Sequence, residues 1–564
     1  MTKSAFHRRL LAAATMTISL FYAAGAGAAD LAPFAAPPLL TGAGFSWDGF
    51  YAGLHSGVTL GKARWSRPTG FYTILGDVPS QGDIGATLGG AQAGFNKQFG
   101  PLVAGAEADV SFGRFDGNSN CGGLPNPGGV GDICHSHATA IATLAGRLGF
   151  AAGNALLFVK AGGAFTRDKY DSASFYLPAF TGSANRGRFG WTLGGGVEYA
   201  LTRNLSWKAE YAYVDFGRRA QAFAITAFPP GGGWDIARSQ QVVKFGLNYS
   251  LRDTFLGNGA EAGGDTASLA GDFSGEFGTR TGLSTGNFRK DLYAPGDPTT
   301  LNSRLTWTGQ GGLSTEGFGR IDHVSGIFAK GVVGGVDIAH AHMHDEDFPP
   351  GLTPYSNTRS ATRHGRDIYA SGDIGYNVLY GDGWKLGAFA GYQFFSQRLN
   401  AYGCTQVAAN NAICGPGQVP PTQLTLSENE HWQALRVGLA GEVRLTDRIK
   451  LSGEAAWLPH MNFASSDNHW LRPNINALKE TGLGRNGYQV ESLLSYAVTE
   501  NFDIGVGARY WALRAEKAHV TFPGLPVASP LPLRDNRFGA FVQTTYRFGD
   551  APSKSAEPPL TSRF

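Results

Sequence analysis

Past its N-terminus this chain has no apolar run near the roughly 20 residues that a membrane-crossing helix needs, so any passage through a bilayer must be made by strands. An excess of one charge is also missing. Lys+Arg number 47 against 44 Asp+Glu, which removes support for nucleic acid as a partner. Methionine and cysteine are scarce, four of each. Glycine (81) and the aromatics (37 Phe, 20 Tyr, 11 Trp) are abundant instead. Short alternating segments ending in aromatics recur throughout, the pattern in which a transmembrane β-barrel is written. At 564 residues the chain is too long for one ordinary domain, and at least two are expected.

The N-terminus supplies an address. Lys3, Arg8 and Arg9 precede a mostly apolar stretch from Leu10 to Tyr22, and small residues follow through Ala28-Ala29. This reads as a secretory signal peptide over residues 1–29, with an uncleaved anchor as the alternative. The few cysteines agree with export. Cys121 and Cys134 flank one Gly/Pro/Asn stretch and Cys404 and Cys414 flank another, so two local loop disulfides are expected. Cys134-His135-Ser136-His137 as a metal site is the weaker reading, for want of a second ligand cluster.

From Gly49 to Leu251 strand follows strand, punctuated by Gly100-Pro101, Gly153-Asn154 and Arg203-Asn204. Eight strands are expected over residues 47–251, an even number that returns both ends to one side of the membrane. Such a barrel has a lumen that side chains fill. Glu198, Glu210 and Lys208 read as lumen charges. Trp47-Asp48-Gly49-Phe50-Tyr51-Ala52-Gly53, the Gly190–Tyr199 segment, Trp207–Gly217 and the closing Val243–Tyr249 strand resemble the small outer-membrane surface barrels of OmpA-like type. The resemblance implies a fold and leaves the role open.

Residues 252–271 lose alternation and gain Gly, Ala and Asp, as a flexible periplasmic linker would. Ten longer strands are then expected over 272–549, before a Pro/Ser-rich tail at 550–564. Stretches of about 20 residues exceed the 9–11 that cross hydrocarbon, so the surplus should stand above the outer surface. Along the third of these strands Phe328, Val332, Val336 and Ile338 share parity with His340, His342 and His344. Placed toward lipid, they leave Met343, Asp345 and Asp347 inward. In the seventh, Leu451, Ala455 and Trp457 share parity with Asp467 and His469, so an inward dyad requires a one-residue slip; a bulge near Pro459 would supply it.

Two acidic strand ends carry the chemistry. Asp345 and Asp347 stand at i and i+2, as do Asp467 and His469, so each pair projects from one strand face. Facing one another, they would make a carboxylate pair opposite a His–carboxylate dyad, a place to hold and deprotonate a water. Taken singly, either motif also reads as a solvated loop tip or a turn. His340, His342 and His344 read either as a divalent-metal set or as a pH-titrating belt at the headgroups.

This half resembles the omptins, outer-membrane endopeptidases built on a ten-stranded barrel. Ser303-Arg304-Leu305-Thr306-Trp307, Ala390-Gly391-Tyr392-Gln393 and Gly438-Leu439-Ala440-Gly441 are similar to strand motifs of that family. Asp345-x-Asp347 and Asp467-x-His469 fall where it keeps its catalytic pairs. The resemblance implies cleavage of extracellular proteins or peptides, with no metal or other cofactor, and lipopolysaccharide as a lipid partner. Some family positions differ here. Ser465 replaces an acidic residue, Asn468 stands inside the dyad, and Lys290 or Asp291 falls at the acidic tip of a basic-residue pocket. The expected class is all-β, two transmembrane barrels in tandem. A non-enzymatic adhesive surface protein and a single eighteen-stranded porin are the competing readings.

Overall fold

A computed structural model describes residues 45–66, 80–120, 133–173, 182–225, 233–251, 273–348, 356–408, 414–415, 419–472 and 478–549. The signal peptide, the linker at 252–271, the tail at 550–564 and Cys121 lie outside them. The first half contains β1 (Gly49–Ser66), β2 (Ser80–Phe99), β3 (Leu102–Asn120), β4 (Ile133–Ala152), β5 (Ala155–Ala173), β6 (Gly182–Ala200), β7 (Leu205–Ala222), the two-residue β8 (Ala224–Ile225) and β9 (Gly233–Ser250). Every pairing is antiparallel. β1 pairs β9 and β5 pairs β6, so eight wall strands close on themselves.

Alternation decides what fills this barrel. Leu54, Leu144, Leu148, Phe189 and Leu193 are exposed outward, while the intervening residues point in. The lumen is packed with ion pairs. Lys208 Nζ lies 2.8 Å from Glu107 Oε1, Lys160 Nζ lies 2.8 Å from Glu210 Oε1, and Arg147 pairs with Glu198. The glutamates and the lysine expected in the lumen are there.

The second half contains β10 (Phe273–Ala294), β11 (Asp297–His323), β12 (Ile327–Asp347), β13 (Ser356–Thr362), β14 (Gly365–Gly381), β15 (Trp384–Gln406), β16 (Leu424–Arg444), β17 (Ile449–Leu458), β18 (Met461–His469), β19 (Leu478–Gly484), β20 (Gly487–Ala497), β21 (Phe502–Ala515), β22 (Lys517–Val520), β23 (Ser529–Pro530) and β24 (Leu533–Phe548). Ten of these close a ring through β10–β24 and β15–β16. The other five continue a wall past a break of one or two residues, as at Pro459-His460 and Arg485-Asn486. Since each half closes on itself, the single eighteen-stranded barrel is excluded.

Outward Tyr392, Trp457 and Tyr488 mark one girdle of this barrel, and Tyr380, Trp384 and Tyr496 the other, with Leu439, Val490 and Leu494 between them. Inside, Phe288, Trp307, Phe395, Trp432, Leu458, Met461, Phe463 and Trp511 form an apolar layer across the lumen. Below it a cavity of about 130 Å³ is lined by charged groups including Lys330, Asp373, Arg436 and Glu454.

One expectation is reversed. Phe328, Val336 and Ile338 are buried in the lumen, not against lipid, and Asp337 points outward. A register shift where β12 meets β11, between Thr308 and Gly312, inserts an irregularity near Ala339-His340. Beyond it Ala341 and Met343 are the buried positions. The two inversions cancel, so Asp345 and Asp347 still share the inner parity. Apolar character alone could not separate lipid from lumen, because this lumen carries its own apolar layer.

The barrels touch along one side. The Thr87 hydroxyl donates to the outward Asp337 carboxylate. Arg366 Nη1 donates to the Asp116 carbonyl at 3.1 Å and Arg398 Nη1 to the Asp83 carbonyl at 2.9 Å. Both arginines are buried by this contact.

Candidate active site at one end of the second barrel

The dyad strand is positioned by a counted defect. β17 pairs β16 with Trp457 opposite Val437, whereas β18 pairs it with Met461 opposite Ala434. Four steps on one strand match three on the other, so one residue is extra at Pro459-His460. Trp457 is 53% exposed to the outside, yet Met461 is fully buried. The slip required by the sequence is therefore present, and it turns Asp467 and His469 inward.

A cross-strand row carries the opposite wall. Lys290 on β10 faces Leu305 on β11, which faces Asp345 on β12. Two residues on, Ser303 faces Asp347 and hydrogen-bonds its carboxylate. All these groups lie past the Trp457–Tyr488 girdle, beyond the apolar layer. Asp345, Asp347, Asp467 and His469 thus converge at one end of the barrel, from β12 and β18. His469 Nε2 lies 3.1 Å from Asp467 Oδ2. Burial, reinforced by the charge of Asp347, pushes the Asp345 carboxyl up to about 6, and the charge of His469 acts against that rise. Burial likewise raises Asp347, against the pull of Arg472. Burial works against the charged His469, but Asp467 and Asp345 together hold its imidazolium above the ordinary range. Asp467 is held well below the usual carboxylate range despite burial, by His469 and Lys290.

Of the two candidates at the pocket tip, Lys290 is the residue inside. Its ammonium lies 2.6 Å from Glu428 Oε2, 2.8 Å from Asp467 Oδ2 and 2.7 Å from Glu480 Oε1. Asp291 turns to Arg289 and Arg304 instead, at 2.7 Å from each. Ser465 donates to Glu428, and Asn468 points its amide at the Ser427 carbonyl, 3.3 Å away. Sequence reasoning missed Glu428 and Glu480. Glu428-Asn429-Glu430 on β16 repeats the i, i+2 acidic spacing of the two chosen pairs and could have drawn notice. Glu480 gives no such signal, because only the β18–β19 pairing brings it in.

Among the described residues, the three acidic or imidazole groups close enough to share an ion are Glu428, Asp467 and Glu480, and Lys290 sits among them. His342 on β12 is exposed, on the face away from the dyad, and His344 is partly exposed. Cys404, near the end of β15, and Cys414, beyond it, form a disulfide. Cys134, at the start of β4, is not a free thiol.

Comparison with known proteins divides at the same place. Residues 21–250 match the outer membrane protein beta-barrel domain and residues 276–523 match the omptin family. The 31 kDa outer-membrane immunogenic protein of Brucella melitensis biotype 1 is 31% identical over 253 residues, 42% of this chain and 97% of that protein. The 22 kDa outer membrane protein of Rhizobium leguminosarum bv. viciae is 30% identical over 171 residues, 30% of this chain and 65% of that one. Among solved structures, the outer membrane protease OmpT from Escherichia coli aligns with 50% of this chain and 99% of its own, at 15% identity and a TM-score of 0.41. The chain is an outer-membrane protein whose first half belongs to the outer-membrane β-barrel family and whose second half matches the omptin family over residues 276–523.

Proposed function

We propose that the second barrel is an endopeptidase of aspartic type, in which a water is activated between Asp345/Asp347 and the Asp467–His469 dyad. The observation that carries this reading is the convergence of both pairs, by way of two separate strand irregularities, on one end of one barrel. His469, when neutral, takes the proton as the water attacks a peptide carbonyl. Asp467 fixes the imidazole through its 3.1 Å contact and stabilises the imidazolium that forms. Asp345 and Asp347 orient the water and, as neighbouring carboxylates, share a proton. No acyl-enzyme forms, because no Ser or Cys attacks.

The site opens to the cell exterior, where the substrates are extracellular proteins or peptides, and lipopolysaccharide is the lipid that surrounds the active barrel. Full-length protein, refolded with and without lipopolysaccharide, should cleave members of a mixed peptide library. Loss of His469 as the base in His469→Ala should reduce the rate by about 10²–10⁴, and Asp345→Ala should also be impaired. Full activity in a well-folded His469→Ala variant would end the proposal, leaving the adhesive surface protein as the reading to pursue.

A further inference from the structure

Among the charged groups packed against the dyad, Lys290 is of the wrong sign for an acidic site. Lys290 is 4% exposed, and its ammonium contacts three carboxylates, one of which belongs to the dyad. Asp467 Oδ2 is shared, accepting from Lys290 at 2.8 Å and from His469 at 3.1 Å. The second oxygen, Oδ1, is buried without a hydrogen-bond partner. The dyad carboxylate is therefore held through a single oxygen, between a permanent cation and a titrating one.

We propose that Lys290 is a positioning residue for the dyad, which pins Asp467 Oδ2 against His469 and offsets the negative charge that His469 feels. This rests on the endopeptidase reading above. The groups facing His469 are Asp467 on its own strand, Asp345 and Asp347 on β12 and Lys290 on β10; Arg472, beyond β18, acts on the two β12 aspartates, while Glu428 on β16 and Glu480 on β19 lie behind Asp467. With three acids close by, an unopposed imidazole would keep its proton to higher pH and fail as a base near neutrality. A buried ammonium on the far side of Asp467 counters that pull. It acts in the direction seen for His469, whose proton affinity Lys290 lowers. Glu428 and Glu480 then serve to hold the ammonium in place, which explains why they surround it from β16 and β19.

The test is the pH dependence of cleavage in Lys290→Met and Lys290→Arg of the full chain, with folding checked by heat-modifiable migration. Lys290→Met should move the acid limb of the rate profile upward by about one pH unit or more, with activity recovering at alkaline pH. Lys290→Arg, which keeps the charge, should restore the limb toward wild type. A second readout does not need turnover. The rate at which diethyl pyrocarbonate modifies His469, followed by mass spectrometry against pH, should shift by the same amount in Lys290→Met. An unmoved midpoint in both measurements, with lower activity at every pH, would reduce Lys290 to a structural role and overturn the inference. Failure of the endopeptidase reading looks different, since wild type would then be inactive or His469→Ala fully active.

Discussion

At the scale of single residues, the site couples stability and activity in opposite directions. His469 is raised above 6.5 and must be neutral to act as a base, so activity is lost as pH falls through its pKa. The loss should be roughly tenfold per unit below that point. Stability has the other sign. A raised imidazole favours the folded state below its unfolded pKa, and that contribution disappears as pH rises through the folded value. Asp345, at about 6 in the fold, imposes a cost when ionised that is relieved as pH drops through 6. Moving from pH 7.5 to 5.5 should therefore lower cleavage, and the same shift should cost wild type no more of the folded gel species than it costs His469→Ala. A larger acid loss of that species in wild type than in His469→Ala would contradict these signs. The two pairs were legible in the sequence because an i, i+2 acidic motif survives in one dimension. The Lys290 cage was not, because its four members come from β10, β16, β18 and β19 and meet only when the barrel closes.

At the scale of strands, the site depends on where alternation fails. Strand number and the two closures could be read from aromatics, turns and terminal motifs. Inward and outward were harder to assign. Phe328, Val336 and Ile338 read as lipid-facing because they are apolar, but Val336 and Ile338 feed the layer built around Trp307 and Trp432, and Phe328 packs with Phe389 in a separate cluster inside the barrel. On β17–β18 the sequence was more informative, since Pro459 marks the slip directly. Deleting His460 should remove the extra residue and rotate Asp467 and His469 to the outer face, since a one-residue slip flips a whole strand. Activity should fall at least as far as on losing the base, about 10²–10⁴, in a barrel that still shows heat-modifiable migration. Retained activity in that variant would mean that β18 is held by its neighbours β16 and β19 rather than by phase.

At the scale of the molecule, the first barrel covers charges that the second would otherwise show to its surroundings. Asp337, Arg366 and Arg398 all point out of the second barrel and meet Thr87, Asp116 and Asp83 of the first. Near the edge of the lipid belt each uncovered charge costs up to about 1 kcal/mol. Residues 273–549 alone should thus refold, yet lose the fast-migrating form at a lower temperature than the full chain. Asp337→Ala should recover part of the difference; equal temperatures for both proteins would show that the contact stabilises nothing. No sequence signal pointed to this contact, since the alternation of β12 puts Asp337 on the face with Asp345 and Asp347, read as inward. The way the two lumens are filled has a further consequence for the organism. Among the described residues, ion pairs such as Lys208–Glu107 and Arg147–Glu198 fill the first, and an aromatic layer crosses the second. With both bores occupied by side chains in this way, a cell should be able to crowd its surface with copies of this protein at little cost to the permeability barrier its outer envelope exists to maintain.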